Sequence, residues 1–248
     1  MPTYKAKAIV LNTFKLGEAD KIIVMFSGSR GKIRGVAKGI RKTKSKFGAS
    51  LEPFTVVDLL LYQGKSLDVI QQADIIMSFK EIRSDLEKLK YGSVILELID
   101  KVGQDGEESY DVFSLALAAL QCLKEAPDDY RTLLTIFQLK LMAALGYRPH
   151  TGRCPVCAGP LAGEDENVLF SFKFGGIICD DCRIKDQDAV ALSPDTRRHM
   201  EAALETPLAH WRDLDFSADN VRGVALLTEL FVAYHLDRKL KSPHLLDI

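Results

Sequence analysis

The chain lacks any apolar run approaching eighteen residues, so nothing in it predicts a membrane-spanning helix. Its start, MPTYKAKAIV, alternates polar and apolar residues where a secretory leader would place a basic region before a greasy one. A soluble, cytoplasmic protein is expected. Cysteine is scarce, five in 248 residues, which is too few for a disulfide scaffold. Also missing are a G-x-x-x-x-G-K-[ST] phosphate loop, a G-x-S-x-G elbow, an H-E-x-x-H helix and a strand-G-x-G-x-x-G-helix unit. The histidines His150, His199, His210, His235 and His244 are scattered and pair with no evident nucleophile. The acid pairs Asp128-Asp129 and Glu107-Glu108 fall near predicted helix starts, where carboxylates suit the helix dipole without doing chemistry. No residue is singled out for catalysis, and a non-enzymatic role is expected.

What is present is a globular mixture, 47% hydrophobic and 27% charged, which excludes disordered and low-complexity classes. The formal net charge of −1 hides a division. Residues 1–80 hold 14 Lys+Arg against 6 Asp+Glu, a balance of +8, whereas residues 81–248 hold 19 against 28, a balance of −9. The extreme is a stretch without a single acid that carries Arg30, Lys32, Arg34, Lys38, Arg41, Lys42, Lys44 and Lys46. A footprint confined to one part of a chain points to an anionic partner, nucleic acid first and a membrane surface second. The bland reading, a solvated basic loop, stays open beside it.

Five strand-like segments occupy the first 80 residues: 4–13, 21–26, 32–38, 53–62 and 66–79, the last two joined by a Gln63-Gly64-Lys65 turn. They predict a small five-stranded barrel of the OB type, with Gly39–Ser50 as a long mobile loop at its edge. Phe14, Phe26 and Phe54 are expected in the barrel core, and Phe47 or Tyr62 on the surface, where bases could stack. From about Phe79 the period changes to 3.6. Helices are expected over 79–102, 109–124 and 128–145, the last capped by Gly146, then a short one opened by Ser193-Pro194 and a long one over 218–241. Cys122 is expected in the helical core. The fold class is thus α+β multidomain: an N-terminal barrel (1–80), a helical bundle domain (81–152 and 192–248) and a four-cysteine insertion (153–191).

Cys154-Pro155-Val156-Cys157 and Cys179-Asp180-Asp181-Cys182 are separated by 21 residues, one more than the usual span between zinc-binding pairs. Two residues between thiolates let one turn aim both sulfurs at an ion about 2.3 Å away, and two turns complete a tetrahedron. Gly159 suits a turn that brings backbone N–H groups toward sulfur. Val168–Phe174 and the Gly175-Gly176 turn into Ile177-Ile178 read as a zinc-ribbon-like hairpin. Redox chemistry and structural disulfides are the competing readings. Four thiolates would leave a zinc ion no open position, so its role would be structural.

Leu16-Gly17-Glu18-Ala19-Asp20-Lys21, the run ending in Phe26-Ser27, the Gly31…Val36-Ala37-Lys38-Gly39-Ile40-Arg41 stretch, and Leu145-Gly146-Tyr147-Arg148-Pro149 leading into four cysteines together resemble the RecO family of bacterial DNA repair proteins. The resemblance runs in the same order over nearly the whole chain. It implies an OB-fold, a helical domain and a zinc-binding insertion. It also implies a nucleoid-associated recombination mediator that binds single- and double-stranded DNA, anneals complementary strands, and works with RecR to load RecA onto DNA coated by single-strand-binding protein. Within the helical domain, Arg131, Phe137, Lys140, Leu141 and Arg148 are candidates to receive the acidic, hydrophobic-ended tail of that last protein. Two other classes remain: a zinc-stabilised interaction scaffold without direct DNA binding, and a zinc hydrolase, which would need an open metal position.

Overall fold

Gly17 and Gly31 turn the first three strands back on one another. In the computed structural model, which describes residues 2–216 and 218–236, β1 (Thr3–Leu16), β2 (Asp20–Ser27) and β3 (Gly31–Ala37) form an antiparallel meander. Both glycines have positive φ, +59° and +62°. At Gly31 a Cβ would also stand 2.0 Å from the Gln104 carbonyl oxygen, so only glycine lets the 104–107 backbone pass this close. β4 (Thr55–Tyr62) returns antiparallel to β1, and β5 (Asp68–Ser78) pairs antiparallel with β4. A short parallel contact of β5 with β3, Gly35 to Asp68 and Val36 to Val69, closes a five-stranded barrel in the order β1-β2-β3-β5-β4.

Ala8, Val10, Ile23, Met25, Ile33, Val57, Leu59 and Leu61 fill the interior. Phe47 and Leu51, from the connection between β3 and β4, join that same core. The Gly39–Ser50 segment is therefore a run of turns pinned at its far end, instead of a free loop. Phe47, 4% exposed, is part of the barrel core and offers no stacking surface. Phe14 departs in the opposite direction. A bulge between Val10 and Asn12 resets which face each β1 residue occupies, and Phe14, paired with Ile22 near the hairpin tip, is 52% exposed. Phe26 and Phe54 are buried as expected, and Tyr62 lies at the surface.

Ala8–Leu11 and Ile23–Ser27 are buried without a break, because these strands are covered on both sides. Their outer faces meet helices α2 (Leu86–Val102) and α3 (Tyr110–Glu125). The helix expected over 79–102 is two: α1 (Lys80–Ser84) stops at Asp85, which is extended and whose carboxylate accepts the Lys88 N–H at 3.0 Å as the N-cap of α2. Cys122, on α3, is only partly buried. Because α1–α3 pack with the barrel, the described residues divide into compact units after Pro127. The step near residue 80 separates strands from helices but not one unit from the other.

In the second unit α4 (Tyr130–Ala144) is buried from Thr132 through Leu139, as a helix enclosed on all sides must be. It packs against α5 (Pro194–Glu205) and α6 (Ala218–Leu236). Ser193 caps α5 by accepting the Thr196 N–H at 3.2 Å, with Pro194 in the first turn. The expected end of the last helix at Lys241 lies outside the described residues. A three-stranded sheet, ordered β7-β6-β8, completes the unit: β6 (Val168–Ser171), β7 (Gly176–Ile178) and β8 (Val190–Leu192).

The placement of Phe47 has a measurable consequence. Phe47→Ala should lower unfolding stability by about 3–5 kcal/mol, the usual loss for a buried aromatic ring, read from denaturant unfolding of the intact chain. A loss under about 1 kcal/mol, within the range of surface substitutions, would return the ring to the surface.

Candidate nucleic-acid interface and metal centre

The connection that plugs the barrel also sets its charges. With Phe47 and Leu51 turned inward, Arg41, Lys42, Lys44 and Lys46 are left at the surface, and Arg30, Arg34 and Lys38 are exposed with them. Lys32 is the exception: its stem is covered and its ammonium lies 3.1 Å from Asp100. Arg34 pairs with Asp105 at 2.9 Å, both largely open to solvent. Lys46 donates to the Gln71 carbonyl at 2.7 Å and Arg41 to that of Gly17 at 3.2 Å. Lys38, Lys42 and Lys44 form no ion pair among the described residues. Asp20 accepts the Gly39 N–H at 2.7 Å, so the acid of the Leu16–Lys21 segment anchors the start of the basic connection.

Part of the basic stretch converges with residues the sequence pattern left unmarked. A recess of about 330 Å³ opens where β3 and β5 diverge, beside the β4–β5 turn. Arg30, Lys32 and Arg34 line it from one side and Lys65 from the turn. The Arg30 guanidinium sits 4.8 Å over the Tyr4 ring. Tyr4 donates its hydroxyl proton to Asp68, and burial, followed by that carboxylate, pushes its phenol well above the ordinary range, so it stays protonated. Asp68 also accepts the Gly64 N–H at 2.9 Å. Lys65 was legible only as a turn residue, because nothing in its neighbourhood announces that the turn folds back onto β3.

The four cysteines are brought together. Their sulfurs all lie within 4.8 Å of one another, and Cys157 Sγ is 3.6 Å from Cys179 Sγ, across the two pairs. A zinc tetrahedron with bonds of about 2.3 Å has edges near 3.8 Å, so the set fits a single ion. No cysteine is in a disulfide. Cys154 and Cys182 are buried while Cys157 is exposed. Gly159 donates its N–H to Cys157 Sγ at 3.4 Å, the contact its position foretold. Burial would raise the Cys154 thiol, but backbone hydrogen bonds from Cys179, Cys157 and Val156 outweigh it and draw it down to about 6. Cys182 is driven the other way, to about 12, by burial and by its sulfur neighbours. Four such groups cannot all ionise side by side unless a cation sits among them. Cys179 directly precedes a six-residue 3-10 helix, Asp180–Lys185, instead of the α-helix a redox pair uses.

The residues expected to meet a partner tail do not form one cluster. Phe137 and Leu141 are fully buried on α4 and serve the core, which removes them as an apolar docking surface. Lys140 and Arg148 do come together near the end of α5: Lys140 donates to the Leu204 carbonyl at 3.2 Å and Arg148 pairs with Glu205. Partial burial lowers the Lys140 ammonium and the Arg148 charge lowers it further. Arg131 is nine residues before Lys140, about 13 Å along the helix axis, and faces Glu229 of α6.

No described helix is long and apolar enough to cross a membrane. Residues 1–79 match the family described as Recombination protein O N terminal, and residues 83–244 match Recombination protein O C terminal. The DNA repair protein RecO of Nocardioides sp. is 36% identical over 242 residues, covering 96% of this chain and 97% of its own. That of Pelotomaculum thermopropionicum is 35% identical, covering 100% and 94%. That of Bifidobacterium longum is 34% identical, covering both chains in full. With both halves matched in order and relatives aligned from end to end, the chain belongs to the RecO family of DNA repair proteins.

Proposed function

We propose that this chain is a recombination mediator. It binds single- and double-stranded DNA through an N-terminal barrel of the OB type, anneals complementary strands and, with RecR, helps load RecA onto DNA coated by single-strand-binding protein. The observation that carries the reading is the crowding of eight cations into Arg30–Lys46, seven of them exposed. Each phosphate that a Lys or Arg neutralises releases a condensed counterion, which gives affinity without reading sequence. Screening two backbones at once lowers their mutual repulsion, so annealing requires no bond-making residue. The strand order β1-β2-β3-β5-β4 supports the OB assignment, a class that holds single strands between its loops. Lys140 and Arg148, with Arg131 further along α4, are the cations available to the acidic tail of single-strand-binding protein.

Cys154, Cys157, Cys179 and Cys182 would hold one zinc ion, whose chemistry there is electrostatic: it makes four ionised thiols compatible and ties two turns together. The closed shell assigns it to stability and leaves DNA contact to the barrel.

Replacing Lys38, Lys42 and Lys44 with Ala, and sparing Arg41 and Lys46 because they hold the Gly17 and Gln71 carbonyls, should weaken DNA binding and flatten its salt dependence. The slope of log K against log[salt] should fall in magnitude by about 0.7 per lost contact on a single strand and 0.9 on a duplex. An unchanged slope in fluorescence titrations would remove this stretch from the footprint.

Metal analysis of the purified chain should give one zinc per molecule, and Cys154→Ser should release it and lower the thermal unfolding midpoint of residues 128–236. The DNA salt slope should stay where it was. Full zinc content in that variant would sink the tetrathiolate assignment.

A further inference from the structure

The recess beside the β4–β5 turn points to a ligand narrower than a duplex. We propose that it is a single-strand subsite, which takes one phosphodiester of an extended DNA strand together with its sugar and lets the barrel distinguish single from double strands. This rests on the reading of the barrel as the DNA-binding element and adds to it a position and a selectivity.

Two features carry the inference. The first is convergence: Tyr4, the run carrying Arg30, Lys32 and Arg34, and Lys65 come from three separate segments of chain onto about 330 Å³ of concave space. A volume of this size matches one nucleotide. A duplex carries its phosphates on the outside of a stiff rod and cannot lower one into a recess, whereas a single strand bends about each phosphate. The second is the plane formed by Tyr4 and the Arg30 guanidinium, 4.8 Å apart, at the wall of that space. Aromatic rings and guanidinium planes both accept an unstacked base, and only a single strand offers one.

The carboxylates in the recess are compatible with an anion. Asp68 is occupied by the Tyr4 hydroxyl and the Gly64 N–H, which spread its charge. The Asp105 carboxylate meets Arg34 in a solvent-exposed pair. Such pairs are worth about 0–1 kcal/mol, so a phosphate can take the guanidinium over and leave Asp105 to water. Lys65 is exposed on a turn and makes no ion pair among the described residues.

Lys65→Ala in the full chain tests the proposal, because truncating an exposed turn residue leaves the barrel packing untouched. Affinity for an oligothymidylate and for a duplex of mixed sequence is measured across a salt series. With the single strand the slope of log K against log[salt] should fall in magnitude by about 0.7, and with the duplex it should not change. Lys65→Arg should restore the single-strand slope. Lys80→Ala, an exposed cation at the start of α1 and outside the recess, should leave the ratio of the two affinities as it was. Equal losses on both DNA forms, no loss on either, or the same change in the ratio from Lys80→Ala overturns the subsite while the basic stretch stands. If the unaltered chain binds neither form in dilute salt, the reading of the barrel falls and the subsite with it.

Discussion

The barrel closes through a seam of two residue pairs. β3 and β5 run parallel and pair at Gly35–Asp68 and Val36–Val69. Past that contact, the long connection from β3 to β4 lays Phe47 and Leu51 into the interior and draws Lys46 onto the Gln71 carbonyl. The apolar residues of this segment must go inward to complete the core, so the cations between them have nowhere to go but out. On the other side of the contact, β5 gives way to the β4–β5 turn, and β3 is met there by the 104–107 backbone, through the bridges at Asp105 and the Lys32 N–H bond to the Gln104 carbonyl. That end of the seam stays open as the recess. The positive surface and the concave site are thus two ends of one closure, and both follow from how little of β3 faces β5.

Ion pairs grade the cations by how freely they can exchange partners. The Lys32 side chain is 10% exposed and its bond to Asp100 ties β3 to α2, so breaking it would loosen the packing of helix on barrel. The Arg34–Asp105 pair, with side chains 46% and 64% exposed, is open to water and the more easily exchanged. Among the described residues Lys38, Lys42 and Lys44 have no acid to leave. An anion approaching this surface therefore meets unpaired cations first, exchangeable ones second and structural ones last. That order keeps the fold intact while the charges are used.

Much of this was legible in advance where a pattern is local. The five strands emerged from alternation and glycine turns within a few residues of their ends, Ser193-Pro194 opened α5, and Gly159 reached the Cys157 sulfur. What was not legible depends on distant residues. Phe14 lost its place in the core to a bulge at Leu11 that no composition signals. Phe47 gained one because the barrel interior beside a seam formed by distant strands needed filling. Asp85 broke a helix whose apolar period runs on past it, since a capping carboxylate outweighed the spacing. Phe137 and Leu141 read correctly as one helical face, but a face can equally be core or surface, and here the second unit closes over it. Lys65 and Tyr4 meet only because the barrel closes.

The cysteine insertion shows the same dependence at smaller scale. Its sheet has strands of four, three and three residues, too short to bury a core of their own. Two fastenings hold its base. His150 exchanges backbone hydrogen bonds with Gly175 and Ile177 at 2.9 and 2.8 Å. The buried Arg197 of α5 donates to the carbonyls of Thr151 and Ala162, one on each side of the first cysteine pair. Inside, Ser171 donates to the buried Asp186. These bonds fix where the chain enters and leaves, and a small apolar cluster of Ile178 with Val156, Leu161, Leu169 and Phe174 packs around the buried Cys154 and Cys182 between the two turns. A cation among the sulfurs would tie the two turns directly, and the opposed shifts of Cys154 and Cys182 mark the repulsion it would relieve. A metal held there would close this small region from within, as Phe47 closes the barrel.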